Sequence, residues 1–294
     1  LNVVQAPFSM TVSQQDKSFS QPQPFNRFGI SPRYKMVTAH FGHRAMSFSE
    51  YTLAGNMFLG AGVEVVPKES FVRVSAMYGR LAKAVEKSAQ QGLVFAKPAF
   101  RRMGYGMKLG LGRDKNMLDL IFFRAWDDET SIPITDSLDV KPEENLVMAV
   151  HTKNQLGERV AVEVEYAYSL FTRARRSVET GEQSYSFTNN LGGLFKPNLS
   201  SEFNQAFTAT LNYSGQWYQA NFKYRKIDPG YRTLGSAFLN NGLKDLTGGL
   251  SWSMLQQKIS LSTNAGIQQS TKENAVVRVI YAFNLNYNVN QRLL

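Results

Sequence analysis

His40 and His43, three residues apart, are the first side chains whose type and spacing could hold a metal ion. An H-x-x-H pair shares one face only on a helix, where residues three apart are neighbours. On a strand the two imidazoles point to opposite sides, and His151 stands at a strand end, so no third ligand joins them. Glu163 and Glu165 would share one strand face about 7 Å apart, a spacing that invites comparison with a hydrolytic carboxylate pair. The plainer reading is a structural network, since a polar barrel interior balances its carboxylates against basic side chains. No serine and histidine share a face at a spacing suited to a nucleophile and its base, so the chain is not read as an enzyme and no catalytic residue is assigned. Gly104, Gly106 and Gly110 fail the dinucleotide-binding spacing and fall inside a predicted strand, where they leave room on one face. Nothing in the sequence calls for a cofactor.

The segment from Trp126 to Asn145 carries Asp127, Asp128, Glu129, Asp136, Asp139, Glu143 and Glu144 against a single Lys141. Hard divalent cations take such oxygen ligands, which makes Asp127, Asp128 and Glu129 weak calcium candidates. The order of the acids does not follow the EF-hand pattern, and a solvated acidic loop is the simpler expectation.

The elements that must position these groups are strands. From Val277 to Val289 the odd positions read Val, Val, Tyr, Phe, Leu, Tyr, Val, while Arg278, Ala282, Asn284, Asn286 and Asn288 stand among the even ones. Period 2 puts the two sets on opposite faces of a sheet. Val160, Val162, Val164, Tyr166, Tyr168 and Leu170 repeat the pattern against Arg159, Ala161, Glu163, Glu165, Ala167 and Ser169. Further alternating runs give about fourteen strands, starting near Pro7, Phe25, Lys35, Met57, Phe71, Arg102, Met117, Leu146, Arg159, Gln205, Trp217, Leu243, Lys258 and Ala275. The seventh breaks the rule, because Ile121 and Phe123 fall on the face that carries Asp119.

Strands of this length suit a membrane, since a tilted crossing takes about 9 to 11 residues. Short turns (Ser31–Tyr34, Val66–Ser70, Gly112–Asn116, Asn154–Glu158, Ser214–Gln216, Leu255–Gln257) alternate with long connections (Phe48–Gly55, Val85–Phe100, Trp126–Asn145, Thr172–Asn204, Lys226–Asn240). Outer-membrane barrels have this asymmetry, with tight periplasmic turns and long extracellular loops. Tyr34, Trp126, Tyr213, Trp217, Trp252 and Tyr287 gather near strand ends, as in interfacial girdles. A lipocalin-like barrel would also alternate, with its apolar face inward. The Gly, Ser, Thr and Asn content of the polar face favours apolar outward. The expected fold is therefore all-β: one transmembrane antiparallel up-and-down barrel over residues 1–294, in the bacterial outer membrane, its last strand paired with the first around Phe8–Val12.

The chain has 294 residues, a net charge of +10 and no cysteine, which excludes disulfide and thiolate chemistry. Its bases are dispersed except for Arg173, Arg175 and Arg176, so nucleic acid is not an expected partner. The predicted lumen face holds Arg44, Arg73, Arg102, Lys108, Asp119, Arg159, Glu163, Glu165, Lys223, Arg225 and Arg278, a net basic set. Two functions are expected from it. One is a passive channel for small hydrophilic solutes. The other is a structural or interaction barrel with a filled lumen, docked in a larger outer-membrane complex. A transporter for apolar ligands would need an apolar interior, and Phe58, Met77 and Ile280 are too few to argue one.

The stretch FNRFGISPRYKMVTAHFGHRAMSFSEYTLAGNMFLGAGVEV, residues 25–65, resembles a group of outer-membrane β-barrel proteins of the Bacteroidota. So does YRKIDPGYRTLGSAFLNN, residues 224–241. The resemblance implies fold and place: most such proteins have no assigned activity, and some barrels of this kind serve machines for nutrient uptake, type IX secretion or barrel assembly. The implied partners are outer-membrane lipid and lipopolysaccharide, with other outer-membrane proteins or lipoproteins. Many such barrels end in an aromatic residue, whereas this chain ends Asn290, Gln291, Arg292, Leu293, Leu294. It therefore reads as an incomplete copy of a larger protein, with a strand count that could exceed fourteen.

Overall fold

The computed structural model describes residues 4–12, 26–68, 70–86, 98–113, 115–133, 140–177, 193–254, 259–272 and 276–287. Alternation produces strands throughout: β1 (Phe8–Thr11), β2 (Arg27–Ile30), β3 (Arg33–Tyr34), β4 (Val37–Ser47), β5 (Ala54–Val65), β6 (Val72–Ala82), β7 (Arg101–Arg113), β8 (Asn116–Asp128), β9 (Glu144–Leu156), β10 (Val160–Thr172), β11 (Ser201–Ser214), β12 (Tyr218–Ile227), β13 (Leu243–Met254), β14 (Ile259–Ser270) and β15 (Val277–Tyr287). All neighbours pair antiparallel in chain order, with β3 a two-residue continuation of β2 along β4. The up-and-down sheet thus has fourteen staves on its main path. From β4 onward each stave is 10 to 14 residues long, enough for a tilted crossing of a hydrocarbon layer. Among the described residues no helix is long and apolar enough to cross a membrane, a statement with no bearing on strands.

Register settles which residues share a face. The row Lys108–Ile121–Ala149–Ala167–Ala206–Ile227 runs across six staves, and Gly110–Asp119–His151–Glu165–Thr208–Arg225 runs beside it. Both rows belong to the inner face. The opposite face carries Phe41, Tyr78, Met107, Leu120, Val150, Tyr166, Leu211, Phe222, Leu246, Leu250 and Trp252, each exposed as a large apolar side chain. An apolar exterior around a polar wall is the inverse of a soluble barrel.

Close approach of the first staves is made possible by glycine. Gly29, Gly42, Gly60, Gly79 and Gly104 meet one another across β2, β4, β5, β6 and β7. Gly42 takes φ +84°, a left-handed conformation that side chains resist, and a Cβ on Gly60 would run into the Tyr78 carbonyl and the Gly79 Cα. Glycines of this sort let a sheet bend at a chosen level.

Two expectations are corrected. The segment 126–145 is not all loop: Trp126, Asp127 and Asp128 belong to β8 and Glu144 and Asn145 to β9, with Trp126 registered on Glu144. The strand outlasts the apolar alternation because side-chain ion pairs, described below, replace it there. Nor does β15 pair with β1 among the described residues; the sheet is open between them, and every residue of both strands is exposed. Closure needs matched edge lengths, and β1 offers four residues to the eleven of β15. The turn at Leu255–Gln257, the acids Asp136 and Asp139, and the terminal residues 288–294 lie outside the described residues.

Candidate functional site

The interior is where chemistry could occur, and two long-end connections fold back into it. The first, between β4 and β5, is a compact turn in which Phe48 N donates to Leu53 O at 2.8 Å and the Ser49 and Thr52 hydroxyls meet at 2.8 Å. Its Tyr51 and Leu53 are fully buried. The second follows β12 and begins Asp228-Pro-Gly-Tyr231, a turn closed by Tyr231 N donating to Asp228 O at 3.1 Å. Proline at the first central position and glycine at the second suit such a turn, and Gly230 lies against the Asn204 side chain of the wall.

The two connections then bond to each other. Tyr231 Oη donates to Tyr51 O at 2.7 Å, Thr233 Oγ1 to Thr52 O at 2.7 Å, and Ala54 N to Gly235 O at 3.0 Å. The wall holds the pair through Asn145, whose Oδ1 accepts from Leu234 N at 3.1 Å while its Nδ2 donates to Ser169 Oγ at 2.9 Å and Leu170 O at 3.0 Å. Ser169 Oγ donates in turn to Arg232 O at 2.5 Å, and Tyr51 Oη meets Thr208 Oγ1. Around this polar frame packs an apolar cluster: Met46, Phe58, Met77, Leu81, Ile121, Phe123, Val147 and Ile227 from the wall side, with Phe48, Tyr51, Leu53 and Tyr231 from the connections. The result is a plug across the long-loop half of the lumen. Burial pushes the Tyr51 phenol up to about 12 and holds that of Tyr231 well above its usual value.

Charged layers lie on both sides of the plug. Toward the long connections Arg102 holds Asp127 at 2.7 Å and Glu143 at 2.7 Å on the inner face, and Arg176 meets Glu129 at 2.8 Å; on the outer face at the same level Arg101 pairs with Asp128, and Arg124 and Arg175 share Glu144. The calcium candidates Asp127, Asp128 and Glu129 are therefore each engaged by arginine, the first two on opposite faces of β8. Among the described residues no group of three acids or histidines is placed to hold a metal. Toward the short turns Arg73 donates to Asp119 at 2.9 Å, and His151 lies between Asp119 (3.8 Å) and Glu163 (2.9 Å). Arg225 reaches Asp245 at 2.9 Å and Glu50 of the first connection at 3.4 Å.

The remaining sequence candidates take distinct places. Lys108 lies over the Phe48 ring at 5.8 Å, and Glu165 lies beside Ser49 and the Tyr51 amide. Arg44 donates to Ser9 at 3.0 Å and to the Gly29 carbonyl. Lys223 sits between Thr210 and Thr247, Arg159 precedes β10 at a short turn, and Arg278 is exposed on the inner side of the open edge. His40 bonds Ser31 at 2.9 Å and Glu64 at 3.3 Å on the inner face, while His43 packs edge-on against Phe28 on the outer one. Gly106 and Gly104 make room for Phe48 and Leu81, and Gly110 for the guanidinium of Arg73.

Sequence reasoning missed Asn145, Ser169, Tyr51 and Tyr231. One signal could have found the plug. Ile121 and Phe123 interrupt a polar inner face, and side chains of that kind need an apolar partner inside the barrel.

What this architecture defines is an antiparallel meander with an inverted barrel surface. No known family profile matches the sequence, and no curated protein does. Among solved structures the chain is similar to OccK8 (OprE) of Pseudomonas aeruginosa at 10% identity and TM-score 0.48, covering 89% of this chain and 71% of that one. OccAB1 of Acinetobacter baumannii gives 12% and 0.46 over 89% and 66%, and OccK3 (OpdO) of Pseudomonas aeruginosa 12% and 0.36 over 89% and 80%. At these scores the functional reading rests on the chain's own geometry.

Proposed function

We propose that this chain is a non-enzymatic β-barrel channel of the bacterial outer membrane, passing small hydrophilic solutes through a lumen narrowed by the two inward connections. The observation that carries it is the inverted surface: a continuous polar inner row against an exposed apolar outer face on staves of membrane-crossing length. Outer-membrane lipid and lipopolysaccharide are the partners of that outer face. Tyr213 stacked on Tyr218 at 5.3 Å, with Trp217 and Trp252 exposed beside them, places an aromatic girdle at the short-turn rim. Placement among Bacteroidota barrels rests on residues 25–65 and 224–241, the segments that contribute the two connections of the plug.

Planar-bilayer recording tests the channel. The expected result is a small conductance that rises several-fold when residues 231–239 are replaced by a short Gly/Ser linker. A purified barrel that stays silent with and without the plug overturns the proposal. The plug itself, together with the open edge at β15, favours a second reading as an interaction barrel in a larger assembly. Co-purification of stoichiometric partners under native extraction, with both forms silent, is the outcome that would select it.

A further inference from the structure

The two ends of the lumen treat their cations differently. At the long-loop end the inner-face Arg102 faces two carboxylates, Asp127 and Glu143. At the opposite mouth, the turns before β4 and after β5, with the adjoining ends of β6 and β7, enclose a recess of about 1250 Å³. Arg33, Lys35, Lys68, Arg73 and Arg113 line it, with Glu64 the carboxylate among its lining residues. Glu64 already accepts from His40, and Arg113 donates to the Lys68 carbonyl instead of to an acid. Arg73 spends one nitrogen on Asp119, which also faces His151, and its Nε is buried with no hydrogen-bond partner. Among the described residues Arg33, Lys35 and Lys68 have no carboxylate partner; Glu69 and Asp114, adjacent in sequence, lie outside them.

We infer that this recess binds small polyvalent oxyanions, molecules carrying two or more carboxylate or phosphate groups, and so names a solute class for the channel reading on which the inference rests. The cations come from four separate segments, so one carboxylate can meet only some of them, whereas a polyvalent anion bridges several at once. Guanidinium groups suit such a ligand because their planar donors match an oxyanion's paired oxygens. Arg73, whose unpartnered Nε is buried against Gly110, marks the inner end of the site. Arg73 stands on the inner face of β6 beside Asp119 and Gly110, where a small solute reaches and a folded protein does not. The volume leaves space for the anion and its water, being somewhat above the usual 300–1,000 Å³ of a ligand pocket.

The test is titration calorimetry on the purified barrel in a non-ionic detergent, with citrate as the polyvalent probe and acetate as the monovalent one. Citrate is expected to bind at least about tenfold more tightly than acetate, and to weaken steeply with added salt. The double variant R33Q/K35Q, altered only at exposed side chains of β3 and the turn after it, is expected to lose about tenfold in citrate affinity; R73Q tests the inner end separately. Equal affinity for the two probes, or an unchanged citrate affinity in R33Q/K35Q, overturns the inference. So does competitive displacement of citrate by phosphatidylglycerol in mixed micelles, which would assign the recess to a lipid headgroup. Citrate binding without conductance refutes the channel and leaves this site standing, and conductance without citrate binding does the reverse.

Discussion

Asn145→Ala is the sharpest test of how the lumen is narrowed. Asn145 is fully buried, and its amide is the joint between wall and plug: Oδ1 receives the Leu234 amide, and Nδ2 bonds Ser169 and Leu170. Truncation orphans the Leu234 N–H, which costs about 1–3 kcal/mol if it stays buried, while the bonds to Ser169 and Leu170 join β9 to β10 and do not count toward docking. A docked plug weakened by about 2 kcal/mol opens roughly thirtyfold more often. Hydrogen exchange followed by mass spectrometry reads this directly, as faster exchange in a peptide spanning residues 228–240 with β9 and β10 still protected. Thr233→Val, which removes the bond to Thr52 O and the acceptor of the Gly235 amide, should give on the order of a tenfold effect in the same peptide. If exchange there is unchanged in Asn145→Ala while the barrel stays folded, Asn145 does not hold the plug and the reasoning fails.

Raising the pH should loosen the same element. The Tyr51 phenol lies near 12 when docked and at its ordinary 10.0 when released, so the docking advantage is complete below about pH 10 and declines toward pH 12, by about 1.4 kcal/mol per unit. Protease cutting within the β4–β5 connection should rise over that window in the native protein, with a shallower slope in Tyr51→Phe, where Tyr231 still titrates, and none in Tyr51→Phe/Tyr231→Phe. Phe222→Arg puts a charge on the outer face in mid-strand and should cost about 2–4 kcal/mol in folding into lipid vesicles. No cost at that position would mean that the face does not meet lipid. Gly60→Ala drives a Cβ into the Tyr78 carbonyl and should destabilise by about 1–3 kcal/mol, seen as a lower temperature for the heat-modifiable gel shift; an unaltered shift would contradict the close approach of β5 and β6.

The wall was legible because its grammar is local. Alternation in Val160–Leu170 and Val277–Tyr287 fixes both the strand and the face of each residue, and register then follows from short turns. Even the division of polar and apolar faces could be read, since His40 and His43 part company as period 2 requires. The plug was not legible, because its bonds join residues far apart in sequence. Tyr231 meets the Tyr51 carbonyl across 180 positions, and nothing near either residue announces the other. Its only local trace is negative: Ile121 and Phe123 break an alternation that a water-filled lumen would have kept. Phe58 and Met77 belong to the same trace, for they looked too few to line an apolar cavity and proved to be the wall side of a packed one. The extent of β8 and β9 was hidden for another reason, since Arg102–Asp127 and Arg124–Glu144 ion pairs extend strands without any hydrophobic signal.

The bond between Tyr51 and Tyr231 also carries an implication for assembly. Every contact between neighbouring staves is a hairpin closed over a modest stretch of chain, whereas the two connections can meet only after β5 through β12 have been laid side by side. Loop-closure entropy orders such events, with near contacts first and distant ones last. A wall that assembles in this order exists for a time with nothing across its bore. In pulse-labelled hydrogen exchange during refolding, the amides of β9 to β12 should acquire protection before those of residues 231–235; the reverse order would show that the connections template the wall around themselves.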